Sequence, residues 1–271
     1  MSQKEIEEFT QKLDEIIKAI IYLILEIPIE KVQKEPEHFF YSIIFKTVHT
    51  LEAVNLLSYN VLQKPFFLIS CGLSMRTVIS DLIIAEYLIF KSENSGNPDS
   101  ELLKQIERQY FDHYQFTKRN INIYETLYGD KKEFLKVKKE FNEYEKKFLD
   151  SDGNIKSYLK KGDSIFRMIK FLASKYDKSN MQRLKIAFEC YDIFSKIEHF
   201  GEKTMELISQ SATQQRSKFS FETLLYSIKI SLNILEILLL VFFDKKSAKL
   251  KKLSSQIEEF NKLEIPNTNS A

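Results

Sequence analysis

Tryptophan is absent from this sequence, and cysteine, proline and glycine are scarce: two, five and six in 271 residues. Each shortage excludes something. A many-stranded sheet needs turn residues at short intervals to reverse the chain, whereas long helices need few, so the dearth of Gly and Pro points to an all-α protein. Cys71 and Cys190 are too few for a disulfide framework or a thiolate zinc site. Neither sign of charge is in excess, since 40 Lys and Arg face 38 Asp and Glu for a net +2. No long-range field therefore draws nucleic acid or anionic lipid to the whole molecule, and any such binding has to be local. The N-terminal stretch MSQKEIEEFTQKLDEI has no basic-then-apolar leader, which predicts a cytoplasmic protein.

What is present is helical periodicity. With 44% hydrophobic and 29% charged residues the chain has the means to bury a core and wet its surface. Ile6, Phe9, Leu13, Ile16, Ile17, Ile20 and Ile24 recur at three-to-four spacing and predict a helix over 3–27, ended by Pro28. A second is expected from Pro36 toward Leu62, and a third from Pro65 that is apolar nearly all round and so belongs in the middle of the bundle. The loop SENSGNPDS and its Asp99/Ser100 cap launch a wetter helix over 99–128, and a Lys/Glu-laced helix follows over 131–149. These two form a possible projecting hairpin. Further helices are expected at 164–175, 179–199, 202–214, 219–244 and 247–261. The expectation is a multi-helix bundle of about eight to ten helices, a single domain over 1–262 with a disordered tail at 263–271.

Ile228 to Phe243 (IKISLNILEILLLVFF), followed by a lysine cluster, looks like a stop-transfer signal. It is shorter than the ~20 residues a bilayer requires and carries Lys229, Asn233 and Glu236. A central bundle helix and no membrane partner are expected.

Walker loops, Gly-x-Gly-x-x-Gly, a nucleophile elbow and His-Glu-x-x-His are all missing. A dinuclear metal bundle needs two Glu-x-x-His pairs on inward faces. Here Glu35 and His38 straddle Pro36, and His49-x-x-Glu52 has the reverse order. No metal or cofactor is expected.

Three constellations carry chemistry. Tyr191, Ser195 and His199, four apart, form a stripe of two hydroxyls and an imidazole along one helix. It could position a proton donor or acceptor; alternatively His199 sits at a helix C-terminus closed by Gly201, where an imidazolium suits the exposed carbonyls. Arg76, Ser80, Asp81 and Glu86 lie on the apolar third helix, where Arg needs a carboxylate, from Asp81, Glu86 or Glu52. They are either an ion-pair network fixing register or an anion or phosphate site. The third is the string Arg108-Gln-Tyr-Phe-Asp-His113.

That Arg-x4-His string resembles the motif of HEPN-type helical ribonucleases. The resemblance implies that Arg108 steadies a phosphate and His113 assists attack by the ribose 2′-hydroxyl, without a metal and at a homodimer interface. Residues five apart on a regular helix are about 140° from each other, so an ordinary surface pair is the alternative. More widely, RTVISD at 76–81, RQYFDHYQFTKRN at 108–120 and YDIFSKIEH at 191–199 together resemble a large uncharacterised helical prokaryotic family, a domain of unknown function distantly HEPN-like. The likeness spans roughly residues 35–245; Ser80 stands where that family often has Glu, which leaves Asp81 as the acid. It implies a stress- or phage-defence setting.

Lysine pairs at 131/132, 138/139, 146/147 and 160/161 interleave with Phe and Tyr, as an RNA-binding surface would, but the Glu residues among them favour a solvated helix face. Three functions stay open: a binding protein whose polar centre is Arg76, Asp81, Tyr191, Ser195 and His199; a metal-independent ribonuclease using Arg108 and His113; and an adaptor presenting the hairpin to a partner.

Overall fold

The computed structural model describes residues 3–61, 67–128, 132–159, 163–198 and 214–263. The described residues are largely helical, with no strand among them, so the expected all-α bundle is what forms. Its helices are α1 (Gln3–Leu25), the single turn α2 (Ile29–Val32), α3 (Glu37–Tyr59), α4 (Phe67–Glu93), α5 (Pro98–Tyr128), α6 (Lys132–Glu145), α7 (Ile165–Ala173), α8 (Lys178–Glu198), α9 (Gln214–Leu239) and α10 (Ala248–Asn261). The segments expected at 202–214 and in the tail fall largely outside the described residues. Within the stretch expected to be one domain, contacts separate two compact units: Met1–Tyr87 with Met168–Ala271, and Leu88–Arg167.

In the first unit α1 buries the predicted stripe from Ile6 to Ile24. Thr10 lies within that face and is satisfied locally, donating its hydroxyl to the Ile6 carbonyl at 2.9 Å. Phe9 packs edge-on to Phe221 of α9, centroids 5.3 Å apart, and against Phe260 of α10 at 5.6 Å. At the other end of α1, Glu26 pairs with Lys249 of α10.

α9 is the central helix that the apolar run predicts: Leu224, Ile228, Leu232, Leu235, Leu238 and Leu239 are fully buried. Lys229, Asn233 and Glu236, the polar residues that argued against a bilayer span, recur at i, i+4 and i+7 and therefore share one side of the helix. Each finds its partner on or just beyond α10. The Lys229 ammonium donates to the carbonyls of Asn261, at 2.9 Å, and Leu263, capping a helix C-terminus that is otherwise short of donors. The Asn261 amide donates to Asn233 at 2.9 Å, and the Ser254 hydroxyl donates to Glu236.

α4 differs from expectation. Its buried side is broad, from Cys71 and Met75 through Leu82, Ile83 and Tyr87. Yet Ser70, Ser74, Thr77 and Asp81, at i, i+4, i+7 and i+11, are exposed or half-buried. They make a wet stripe where neighbours were expected on most sides. Among the described residues α4 is the one helix long and apolar enough to cross a membrane by length and composition, with mean hydropathy 1.6 over its best window. Where α4 meets α8 the two approach closely at Gly72, where a Cβ would stand 2.6 Å from the Phe194 ring.

The second unit is built on α5, α6 and two 3-10 turns, Lys146–Phe148 and Ser157–Leu159. Its core is largely aromatic: Phe111, Tyr114, Phe148 and Leu159 are buried, with Phe141 and Tyr144 packed against them. The Tyr114 ring stacks on Phe141 with centroids 4.8 Å apart, and Phe148 stands edge-on to Phe111 at 5.3 Å. The turn after α6 reverses through Gly153 at φ 77°, while the Asp150 carboxylate accepts the backbone N–H groups of Asp152 and Asn154.

Candidate ligand site

Three helices of the first unit converge on a small hollow of about 170 Å³. α3 contributes Lys46, α4 contributes Arg76, Thr77, Ser80 and Asp81, and α8 contributes Tyr191. The α4 residues are there because 76, 77, 80 and 81 occupy adjoining positions on one side of a 3.6-residue helix. The Arg76 guanidinium lies over the Tyr191 ring, 5.5 Å from its centroid, which holds a cation against an aromatic face. Lys46 pairs with Asp81 Oδ2 at 2.5 Å. The lysine is half exposed, so this pair contributes little to stability and remains open to competition from a ligand.

The sequence expectation thus meets part of its cluster. Arg76, Asp81 and Tyr191 come together. Ser195, one turn further along α8, is half-buried and does not line the hollow. His199 lies outside the described residues. Each of the three carboxylates expected to serve Arg76 has a basic partner of its own: Asp81 has Lys46, Glu52 has the imidazole of His49 at 2.7 Å, and Glu86 has Arg183. Glu86 is only 4% exposed, and its ion pair sits beside the Tyr176 hydroxyl. Burial first, and the Glu86 carboxylate second, hold that phenol above its ordinary pKa.

Sequence reasoning missed Lys46. It is the lone lysine of YSIIFKTVHTLE, which marks the position but not a partner on another helix.

Arg108 and His113 are not brought together. Arg108, in the second unit, donates through Nε at 2.9 Å and through a terminal nitrogen to the Tyr158 carbonyl, and through the other terminal nitrogen to Gln105 at 3.0 Å. Its neighbour Glu107 accepts from the Tyr158 hydroxyl and from Lys156 at 2.6 Å. Together the two residues fasten the 155–159 segment onto α5. His113 is exposed, on another side of the helix. Arg108→Ala should therefore cost about 1–3 kcal/mol of stability by leaving the Tyr158 carbonyl without its charged donor. His113→Ala should change stability by less than about 0.5 kcal/mol. Urea unfolding of the two variants measures both.

Neither cysteine offers a nucleophile. Both are buried, and burial pushes the Cys71 thiol up to about 11 and raises that of Cys190. Among the described residues no group of three or more His, Cys, Asp or Glu side chains could hold a metal ion. A larger groove of about 580 Å³ between α1 and α10 is lined mainly by apolar surface, with Glu26 and Lys249 paired at its rim. Compared with protein-family models, curated proteins and solved structures, the chain matches none.

Proposed function

We propose that the protein acts by binding, and that the hollow between α3, α4 and α8 receives a small anion. The observation that carries this reading is the convergence of two cations, Lys46 and Arg76, with one carboxylate, Asp81, and three hydroxyls in a single hollow. The lining has a surplus of one positive charge. Arg76 brings a planar guanidinium, and Ser80 and Tyr191 can each donate from a hydroxyl, as can Thr77 by giving up its bond to the Ser74 carbonyl. Size limits the ligand: about 170 Å³ corresponds to roughly five or six waters at ~30 Å³ each. That suits an anionic group of a few heavy atoms and is below the ~300 Å³ at which pockets for larger organic ligands begin.

The resemblance to the HEPN-like helical prokaryotic family runs through RTVISD and YDIFSKIEH, which supply Arg76, Asp81 and Tyr191, and a stress- or defence-related role enters the proposal with it. The ribonuclease reading has less behind it, because Arg108 is engaged by Tyr158 and Gln105 while His113 stands apart.

Calorimetric titration with inorganic phosphate, sulfate and acetate tests the site. The parent protein should bind at least one of them, and Arg76→Gln should weaken that binding by roughly tenfold or more through loss of a charge-assisted contact. Saturation should also raise thermal stability, by about 2.7 kcal/mol at a hundredfold excess over Kd. A parent protein that binds none of the three at millimolar concentration ends this reading.

A further inference from the structure

We infer that the hollow discriminates among anions by their protons, and that its ligand is a hydrogen phosphate group rather than a fully deprotonated oxyanion such as sulfate. This rests on the anion-binding reading above and adds to it the class of ligand.

Of the six lining residues, five treat phosphate and sulfate alike. Lys46 and Arg76 only donate, and do so to any oxyanion. Thr77, Ser80 and Tyr191 carry hydroxyls that can rotate to donate or accept as the ligand requires, that of Thr77 by giving up its bond to the Ser74 carbonyl at 2.9 Å. Asp81 is different, because an ionised carboxylate only accepts. Its Oδ2 already receives the Lys46 ammonium at 2.5 Å, and Oδ1 retains acceptor capacity toward a ligand.

An oxyanion with no proton meets Asp81 as one set of lone pairs meets another, with like charges repelling at short range. An oxyanion bearing a P–OH group donates that proton to the carboxylate and turns the repulsion into a charge-assisted hydrogen bond. Size does not separate the two anions, nor does the lining's net positive charge, so discrimination falls to this one acceptor. Inorganic phosphate, and the terminal phosphate of a small monoester below its second pKa of about 6, share the necessary chemistry. In the second case the ester group would extend out through the mouth of the hollow.

The test is isothermal titration of the full chain at constant ionic strength and about pH 5.5, below the monoester's second pKa of about 6 so that methyl phosphate keeps its P–OH, with four probes: inorganic phosphate, methyl phosphate, dimethyl phosphate and sulfate. Inorganic phosphate should bind roughly tenfold or more tightly than sulfate and than dimethyl phosphate, which carries negative charge but no P–OH. If methyl phosphate matches inorganic phosphate the ligand is a monoester end, and if it fails with the other two the ligand is free phosphate; both support the proton-reading site. In Asp81→Asn, whose side-chain amide can donate, the preference should fall to within about threefold, chiefly through a gain in sulfate affinity. Should that variant fail to fold, the parent's ratio of phosphate to sulfate affinity still decides. Sulfate or dimethyl phosphate binding as tightly as phosphate to the parent overturns the selectivity and leaves the anion site standing. Absence of binding by every probe overturns both.

Discussion

Replacing Glu86 with Ala should lower stability by about 3–5 kcal/mol, because it strands a partly buried guanidinium without its carboxylate. For a chain of this size that corresponds to a fall in melting temperature of roughly 6–20 °C. Glu86 is 4% exposed and Arg183 is its recorded partner, with the Arg183 guanidinium also 5.7 Å from the centroid of the Tyr176 ring. The pair thus joins α4 to α8 and to the segment between α7 and α8. The asymmetry of buried charge gives the prediction its second half: removing one partner is costly, whereas replacing both by apolar residues of similar size is often nearly neutral. The double variant Glu86→Leu/Arg183→Met should recover at least half of what Glu86→Ala loses. Thermal unfolding followed by circular dichroism would read both, and a single-variant change below about 1 kcal/mol would show that the pair is not desolvated as its burial implies.

Phe148→Ala should cost a similar amount, about 3–5 kcal/mol, and should do so locally. The smaller unit has few large buried groups, and Phe148 touches most of them: Phe111 at 5.3 Å, Tyr114 at 5.2 Å and Tyr144 at 5.3 Å between centroids. The loss therefore falls on a core with little else to hold it. Hydrogen exchange should quicken for backbone amides in 98–159 while those of α9 keep their protection, since cooperative units open separately. Equal acceleration in α9 would refute the local character of the effect.

The fold was largely legible in the sequence. Apolar spacing in α1 and α3, Pro28 and Pro36 as boundaries, and the SENSGNPDS loop before α5 mark elements that form within a few residues of where they are expected. The α9 run was legible as a central helix because Lys229, Asn233 and Glu236 argued against a bilayer span, although the helix that partners them could not be read from periodicity. α4 was read too simply. Its small hydroxyl residues barely lower a hydropathy average, so the wet stripe from Ser70 to Asp81 is visible only when residues four and seven apart are compared.

The site was half legible. Arg76, Asp81 and Tyr191 drew notice as polar residues on apolar helices, and all three line one hollow. Lys46 did not, because a lysine on an amphipathic helix is ordinary until the tertiary fold sets it against Asp81. Arg108 shows the reverse error. A short motif fixes residue identity and spacing, but the guanidinium goes to a backbone carbonyl fifty residues away, contributed by a turn that no local pattern foretold.

The contact between the first and last described helices has a bearing on synthesis. Glu26 and Lys249 are 223 residues apart, and Phe9 waits still longer for Phe260. At ~5–20 residues per second, a ribosome needs roughly 10–45 s to pass from one half of the Glu26–Lys249 pair to the other. Through that interval the α1 face can be covered by α3 but not by α10, and Phe9 lacks Phe221 for most of it and Phe260 throughout. The α1 face therefore stays open to self-association until α10 emerges, and a stall upstream of Lys249 would leave on the ribosome a bundle that lacks its closing helix.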